Sequence, residues 1–182
     1  NTLPAHGVFV YSSDDPHSSR LHWLTGTTLT VGESSGGDCV ISDIRFVGET
    51  TMFRLRFQSE DIGEFSLSVP GKHNVHNAAM ACVVSHVAGI SWDMIRTCLP
   101  KFSGTRRRFE RLGENHGVVY YDDYAHHPNE IAATIAGIRA WYPERRCIVV
   151  FQPHTVSRTL ALATDFAHAL SAADSSIITA IY

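Results

Sequence analysis

Apolar and polar positions change period along this chain, and the changes divide it. Before Pro70 the period is two. Gly7-Val8-Phe9-Val10-Tyr11 is a short apolar run closed by the turn residues Ser12 to Pro16. Thr27 to Val31 is β-branched, and Ile44–Val47, Met52–Phe57 and Phe65–Val69 alternate as half-buried strands do. Ser59–Gly63 reads as the hairpin loop before the last of these. After Pro70-Gly71 the period becomes helical. Val75, Ala78, Ala79, Cys82, Val83 and His86 fall on one helix face, and Gly89 reads as the residue that ends it. Ser91 is the expected N-cap of a second helix, with Trp92, Ile95 and Leu99 inward and Pro100 as its stop. Phe102–Thr105 reads as a linker, and a domain boundary is expected there.

Beyond the linker the pattern is β-α-β-α-β. Val118–Tyr121 is a strand, followed by a helix from Pro128 that buries Ile131, Ile135, Ile138 and Trp141 and ends at Pro143. Cys147–Phe151 is uniformly apolar, which predicts a strand covered on both faces. A helix burying Leu160, Ala163, Phe166, Ala167 and Leu170 follows, then a third strand over Ile177–Ile181. Such alternation favours a parallel sheet with right-handed crossovers, truncated here because three strands and two helices make a thin domain. The fold class is therefore α/β.

Composition narrows the field without deciding it. The 182 residues suffice for one large domain or two small pieces, and a hydrophobic fraction of 44% supports a core. No run is long enough to span a membrane and no signal peptide is visible. A net charge of −3 argues against a general nucleic-acid binder. The four cysteines show no CxxC pairing, and Cys82, Cys98 and Cys147 lie in apolar runs and read as core residues. A reducing, cytoplasmic setting is the simplest reading. The chain does not begin with Met and is read as a fragment.

The chemistry gathers in two polar loops, Asp122-Asp123-Tyr124-Ala125-His126-His127-Pro128 and Phe151-Gln152-Pro153-His154-Thr155-Val156-Ser157-Arg158-Thr159. Each follows a strand and opens a helix, and in an open parallel sheet such loops meet at the crevice where ligands bind. A carboxylate there suits a ribose hydroxyl or a metal-bound nucleotide, imidazoles suit anions or proton movement, and the Arg158 fork suits a carboxylate or phosphate. The other reading of Asp122-Asp123 is as an acidic pair complementing a helix N-terminus. His, His and Asp are also zinc-type ligands, but adjacent His126 and His127 point their rings apart, and no metal is expected on this chain. Arg106-Arg107-Arg108 with Arg111 reads as a solvated face, or as one arginine reaching phosphate from the hinge. Asn74 reads first as an N-cap, and with Asn77 one turn on it offers paired amides to a base edge. The P-loop pattern is absent throughout.

Four blocks in this order and spacing resemble the Mur ligases. They are Gly71-Lys72-His73-Asn74-Val75-His76-Asn77-Ala78-Ala79, Phe102-Ser103-Gly104-Thr105-Arg106-Arg107-Arg108-Phe109-Glu110, the Asp122–Pro128 loop, and Phe151-Gln152-Pro153-His154 with Ser157-Arg158-Thr159. The likeness implies that residues 1–102 are the β-rich end of a central ATPase domain. Residues 103–182 would be the first half of a Rossmann-like C-terminal domain. The P-loop, the magnesium ligands and the UDP-binding domain would lie elsewhere in a parent protein. It implies ATP-dependent amide formation through an acyl phosphate, with magnesium, and within the family it is greatest to the member that joins L-alanine to UDP-N-acetylmuramate. By resemblance, Asn74 and Asn77 contact the nucleotide base, Arg108 its phosphate and Asp123 its ribose or phosphate region. Tyr124, His126, His154 and Arg158 face the amino acid. One departure is Thr155, where the family usually has Arg. The tripeptide-recycling ligase of the family has Glu-Pro-Arg-Ser where this chain has Gln152-Pro153-His154-Thr155, which disfavours it. A non-catalytic nucleotide- or amino-acid-binding module and a metal-dependent hydrolase on Asp123, His126 and His127 are the readings from other classes.

Overall fold

The computed structural model describes residue 4, residues 6–18 and residues 26–182, and it turns the alternating runs into one five-stranded sheet. Its strands are β1 (Val8–Ser12), β2 (Thr27–Gly32), β3 (Cys39–Val47), β4 (Thr50–Phe57) and β5 (Glu60–Leu67). They lie in that order; the first three are parallel to one another and the last two antiparallel to their neighbours. Phe53 and Phe65 are cross-strand partners with stacked rings 5.9 Å apart, and both are fully buried with Val31, Leu55 and Leu67. Each such side chain contributes about 1.5–3 kcal/mol on leaving water. Two strand boundaries differ from the sequence expectation. The β4–β5 turn is Gln58-Ser59, both at positive φ, and Gly63 lies within β5 at a bulge rather than in the loop. β3 begins at Cys39, where Val40 and Ile41 are buried.

Helix α1 (Lys72–Val87) buries Val75, Ala78, Ala79, Cys82 and Val83, as its spacing requires. Gly89, at φ +94°, lets the chain turn back: its N–H donates to His86 C=O (2.9 Å) and Ile90 N–H to Ser85 C=O (3.1 Å). His86 is not a core residue but stacks on Trp92 at 4.2 Å. Helix α2 (Trp92–Cys98) opens on the Ser91 hydroxyl, which accepts from Met94 N–H at 3.3 Å. Pro100 does not stop an α-helix directly; it stands inside a 3-10 turn, Leu99–Lys101.

Cys98 is exposed, against expectation: it is the last residue of the seven-residue helix, of which only Ile95 is buried. Cys39 and Cys82 are buried, and burial pushes both thiols up to about 12. The thiolate is the nucleophile. At pH 8 an alkylating reagent is therefore expected to modify Cys98 at least about tenfold faster than Cys39 or Cys82 in the folded chain, a difference that peptide mass spectrometry reads directly. Equal rates would contradict the burial.

The chain forms two compact units, one ending at Ser68 and resuming over Lys72–Phe102, the other made of Val69–Gly71 and Ser103–Tyr182. Pro70 joins the second unit by lying against Gly137, where an added Cβ would stand 3.5 Å from its ring. The second unit holds β6 (Glu110–Asn115), β7 (Val118–Asp122), α3 (Pro128–Trp141), β8 (Ile148–Phe151), α4 (Val156–Ala161), α5 (Ala163–Leu170) and β9 (Ser175–Ile178). The α/β class is that of the sequence pattern, with β8 and β9 parallel. Polar β6, which carries no apolar alternation, pairs antiparallel with β7. Ile131, Ile135, Cys147, Phe151, Phe166, Ala169 and Leu170 form the core. Leu162 breaks the predicted single helix, leaving Leu160, Ala163 and Ala167 exposed. Ile148 and Val150 are also exposed, so β8 is covered on one face only.

Candidate functional site

The first polar loop is built around one carboxylate. Asp123 accepts from Ala125 N–H (2.7 Å), Phe109 N–H (3.0 Å) and the Thr134 hydroxyl (3.2 Å). The arginine block is thereby tied to the loop, and Tyr124 N–H donates back to Arg107 C=O at 2.7 Å. Arg107 and Phe109 both have positive φ. Buried Phe109 anchors the turn and leaves Arg106, Arg107 and Arg108 exposed.

Helix α3 is capped by residues other than the acidic pair. His127 is its N-cap and accepts from Asn129 N–H (3.4 Å), while Glu130 accepts from the N–H groups of His126 (2.9 Å) and His127 (3.1 Å). Those bonds, the one from His126 foremost, hold the Glu130 carboxyl below its ordinary range. The helix-cap reading of Asp122-Asp123 therefore gives way to Glu130, which sequence reasoning missed although His127-Pro128-Asn129-Glu130 has capping-box spacing. His126 Nδ1 lies 2.9 Å from Tyr124 C=O, and its ring is 5.2 Å from that of exposed Tyr124. The two neighbouring histidines are engaged separately, one in a cap and one with a carbonyl.

The second loop follows β8. Phe151 and Pro153 are buried and His154 is exposed between Pro153 and the helix. Thr155 opens α4 at φ 66° and ψ 130°, a conformation that strains a β-branched residue. Its C=O accepts from Thr159 N–H (3.2 Å) and the Thr159 hydroxyl (2.8 Å). The Arg158 guanidinium, half-buried one turn along, forms no hydrogen bond or ion pair among the described residues. Thr155→Gly is expected to raise unfolding free energy by about 1 kcal/mol, strain relief outweighing the entropy that glycine adds to the unfolded chain. A urea midpoint that falls would refute the strain. β7 and β8 are not hydrogen-bonded neighbours, contrary to the sequence expectation: β7 pairs with β6 and β8 with β9 in two separate two-stranded sheets. The two loops instead share one core, in which Ala125 packs on the cluster containing Phe151.

In the other unit, α1 begins at Lys72, so Asn74 stands inside its first turn rather than at the N-cap. Asn77 is exposed one turn on, on the same face. Beside them lies a cluster with no sequence signal, since its members are far apart in the chain. His76 Nε2 is 2.8 Å from Glu33 and its Nδ1 3.7 Å from Asp14, and Lys72 is 2.9 Å from Glu33. Ligand atoms of Asp14, Glu33 and His76 all lie within 4.8 Å of one another, a spacing a divalent cation could use. Lys72 already supplies counter-charge there. Lys72 and His76 hold the Glu33 carboxyl below its ordinary range against the opposing effect of burial.

Comparison with known proteins gives these blocks a context. The Mur ligase middle domain matches residues 1–85, and the Mur ligase glutamate ligase domain matches residues 107–181. The UDP-N-acetylmuramate–L-alanine ligase of Solidesulfovibrio magneticus is 45% identical over 100% of this chain and 40% of its own length. That of Caldanaerobacter subterraneus is 40% identical over 99% of this chain and 39% of its own. Among solved structures, the UDP-N-acetylmuramate–alanine ligase of Thermotoga maritima superposes with a TM-score of 0.81 at 26% identity, covering 95% of this chain and 37% of that one. A MurF ligase of Thermotoga maritima, in complex with ADP, shares the fold at a TM-score of 0.78 and 20% identity, over 96% of this chain and 40% of that one. The chain thus spans about 40% of the length of the curated relatives it matches.

Proposed function

This chain belongs to the Mur ligase family, and on that premise we propose that its parent protein joins L-alanine to the carboxylate of UDP-N-acetylmuramate, using ATP, in peptidoglycan precursor synthesis. The observation that carries this reading is 45% identity, along the whole chain, to a ligase of that name. We assign residues 1–102 to the end of the central ATP-binding domain and residues 103–182 to the beginning of the C-terminal domain. A cytoplasmic location follows from the need for ATP; no helix among the described residues is long and apolar enough to cross a membrane.

In this reaction the carboxylate takes the γ-phosphoryl group, the amine attacks the acyl phosphate, and phosphate leaves. Positioning and charge stabilisation do most of the work. Asn74 and Asn77 present carboxamides to the base, and exposed Arg108 is available to nucleotide phosphate. Asp123 shapes the nucleotide side of the loop through its three donors; any contact with ribose adds to that role. Tyr124, His126, His154 and Arg158 receive the amino acid. Arg158 and the imidazoles suit its carboxylate, and the amine is left free to attack. Magnesium accompanies ATP, and by the family likeness its ligands belong to the part of the parent protein outside these 182 residues; here Glu33 pairs with Lys72 and His76. With no P-loop pattern in its sequence, the 182-residue chain alone is expected not to turn over ATP.

The test is phosphate release by the full-length protein given ATP, UDP-N-acetylmuramate and a panel of amino acids and peptides. Release that depends on L-alanine supports the proposal. Release only with another amino acid keeps the family, moves the substrate, and makes Thr155 the first residue to revert to Arg. No release with any of them removes the ligase reading.

A further inference from the structure

Strands β8 and β9 are parallel, with Phe151 opposite Ile178, and the chain segments beyond their carboxyl ends stay paired. Thr179 N–H donates to Phe151 C=O (3.0 Å), Tyr182 N–H to Pro153 C=O (2.9 Å), and Thr155 N–H to Tyr182 C=O (3.1 Å). The irregular loop carrying His154 is therefore strapped on both sides of that residue, and the strap ends on the strained Thr155. The Tyr182 ring lies 5.4 Å from the His154 ring with 31° between their planes. A contact of this kind engages the imidazole face and leaves its nitrogens at the edge.

The three loop histidines differ in this respect. His127 Nδ1 caps α3 and His126 Nδ1 is engaged by Tyr124 C=O. Among the described residues, His154 forms no hydrogen bond and has both nitrogens available. It is also the one whose ring is held by an aromatic partner from another strand end.

We infer that Tyr182 is a positioning residue of the amino-acid site: its ring sets the plane of the His154 imidazole, and its backbone holds the His154 loop in place. This rests on the proposed ligase function. It adds a third strand end to the two loops legible in the sequence, as expected where ligands bind at the carboxyl ends of parallel strands.

The test uses the full-length protein. Tyr182→Leu is expected to raise KM for the amino acid about tenfold, with KM for ATP and UDP-N-acetylmuramate unchanged, and Tyr182→Phe to stay within about twofold of wild type. In a His154→Ala background, Tyr182→Leu is expected to have no further effect on amino-acid KM, the signature of action through His154. Three results would overturn the inference: an unchanged amino-acid KM in Tyr182→Leu, a common rise in all three KM values, or a full effect in the His154→Ala background. A Phe variant as poor as Leu would also overturn it, by assigning the effect to the hydroxyl. Failure of the ligase reading shows separately, in the unsubstituted enzyme releasing no phosphate with any amino acid. The ring contact is then read from the His154 ring-proton resonances of histidine-labelled protein. They shift on Tyr182→Leu if the contact exists, and their constancy refutes it.

Discussion

Arg158→Ala in the full-length protein is expected to raise KM for the amino acid roughly a hundredfold, equivalent to about 2–3 kcal/mol for a charge-assisted fork. The guanidinium is half-buried at the start of α4 and has no protein partner among the described residues, so it is available to a ligand carboxylate. Thr155 supplies no second cation, which leaves Arg158 as the sole charge of its loop. Arg158→Lys should recover only part of the loss, because an ammonium cannot reproduce two parallel N–H donors. Steady-state kinetics with the amino acid varied at saturating ATP would decide the matter. An unchanged KM in Arg158→Ala would remove this residue from the site and transfer carboxylate recognition to the histidines.

The second large effect concerns folding as well as function. Asp123→Ala should destabilise the second unit by about 3 kcal/mol, because it strands two backbone N–H groups and one hydroxyl that now share one carboxylate. Thr134→Val removes only the hydroxyl contact and should cost about 1 kcal/mol. Denaturant unfolding of both variants separates the network from any direct nucleotide contact. Should Asp123→Ala unfold like wild type yet lose ATP-dependent turnover, Asp123 would be a ligand group and not the organiser of its loop.

That result bears on how much of the site was legible in the chain. The arginine block and the Asp-Tyr-Ala-His-His-Pro loop were visible as separate motifs. Their connection through Asp123 and the Phe109 N–H was not, because a hydrogen bond between residues fourteen apart leaves no periodic trace. Glu130 was missed for another reason. Two acidic residues nearer the helix start looked like the cap, and only backbone direction shows that Asp123 turns inward while Glu130 reaches back to His126 and His127. The polar strand β6 gave no alternation to read; its partner β7 holds it in register.

The chain's own pattern determined the α/β class, the order of most elements, the helix-ending Gly89, the Ser91 cap and the two polar loops. These are local properties: side-chain period and capping chemistry act within a few residues and are written in consecutive positions. Tertiary structure alone decided which strands pair, that β8 is covered on one face, that Cys98 faces solvent, that Asp14 and Glu33 meet at His76, and that Tyr182 meets His154. These depend on distant segments brought together by burial of a shared core, a non-directional force that sequence spacing does not encode.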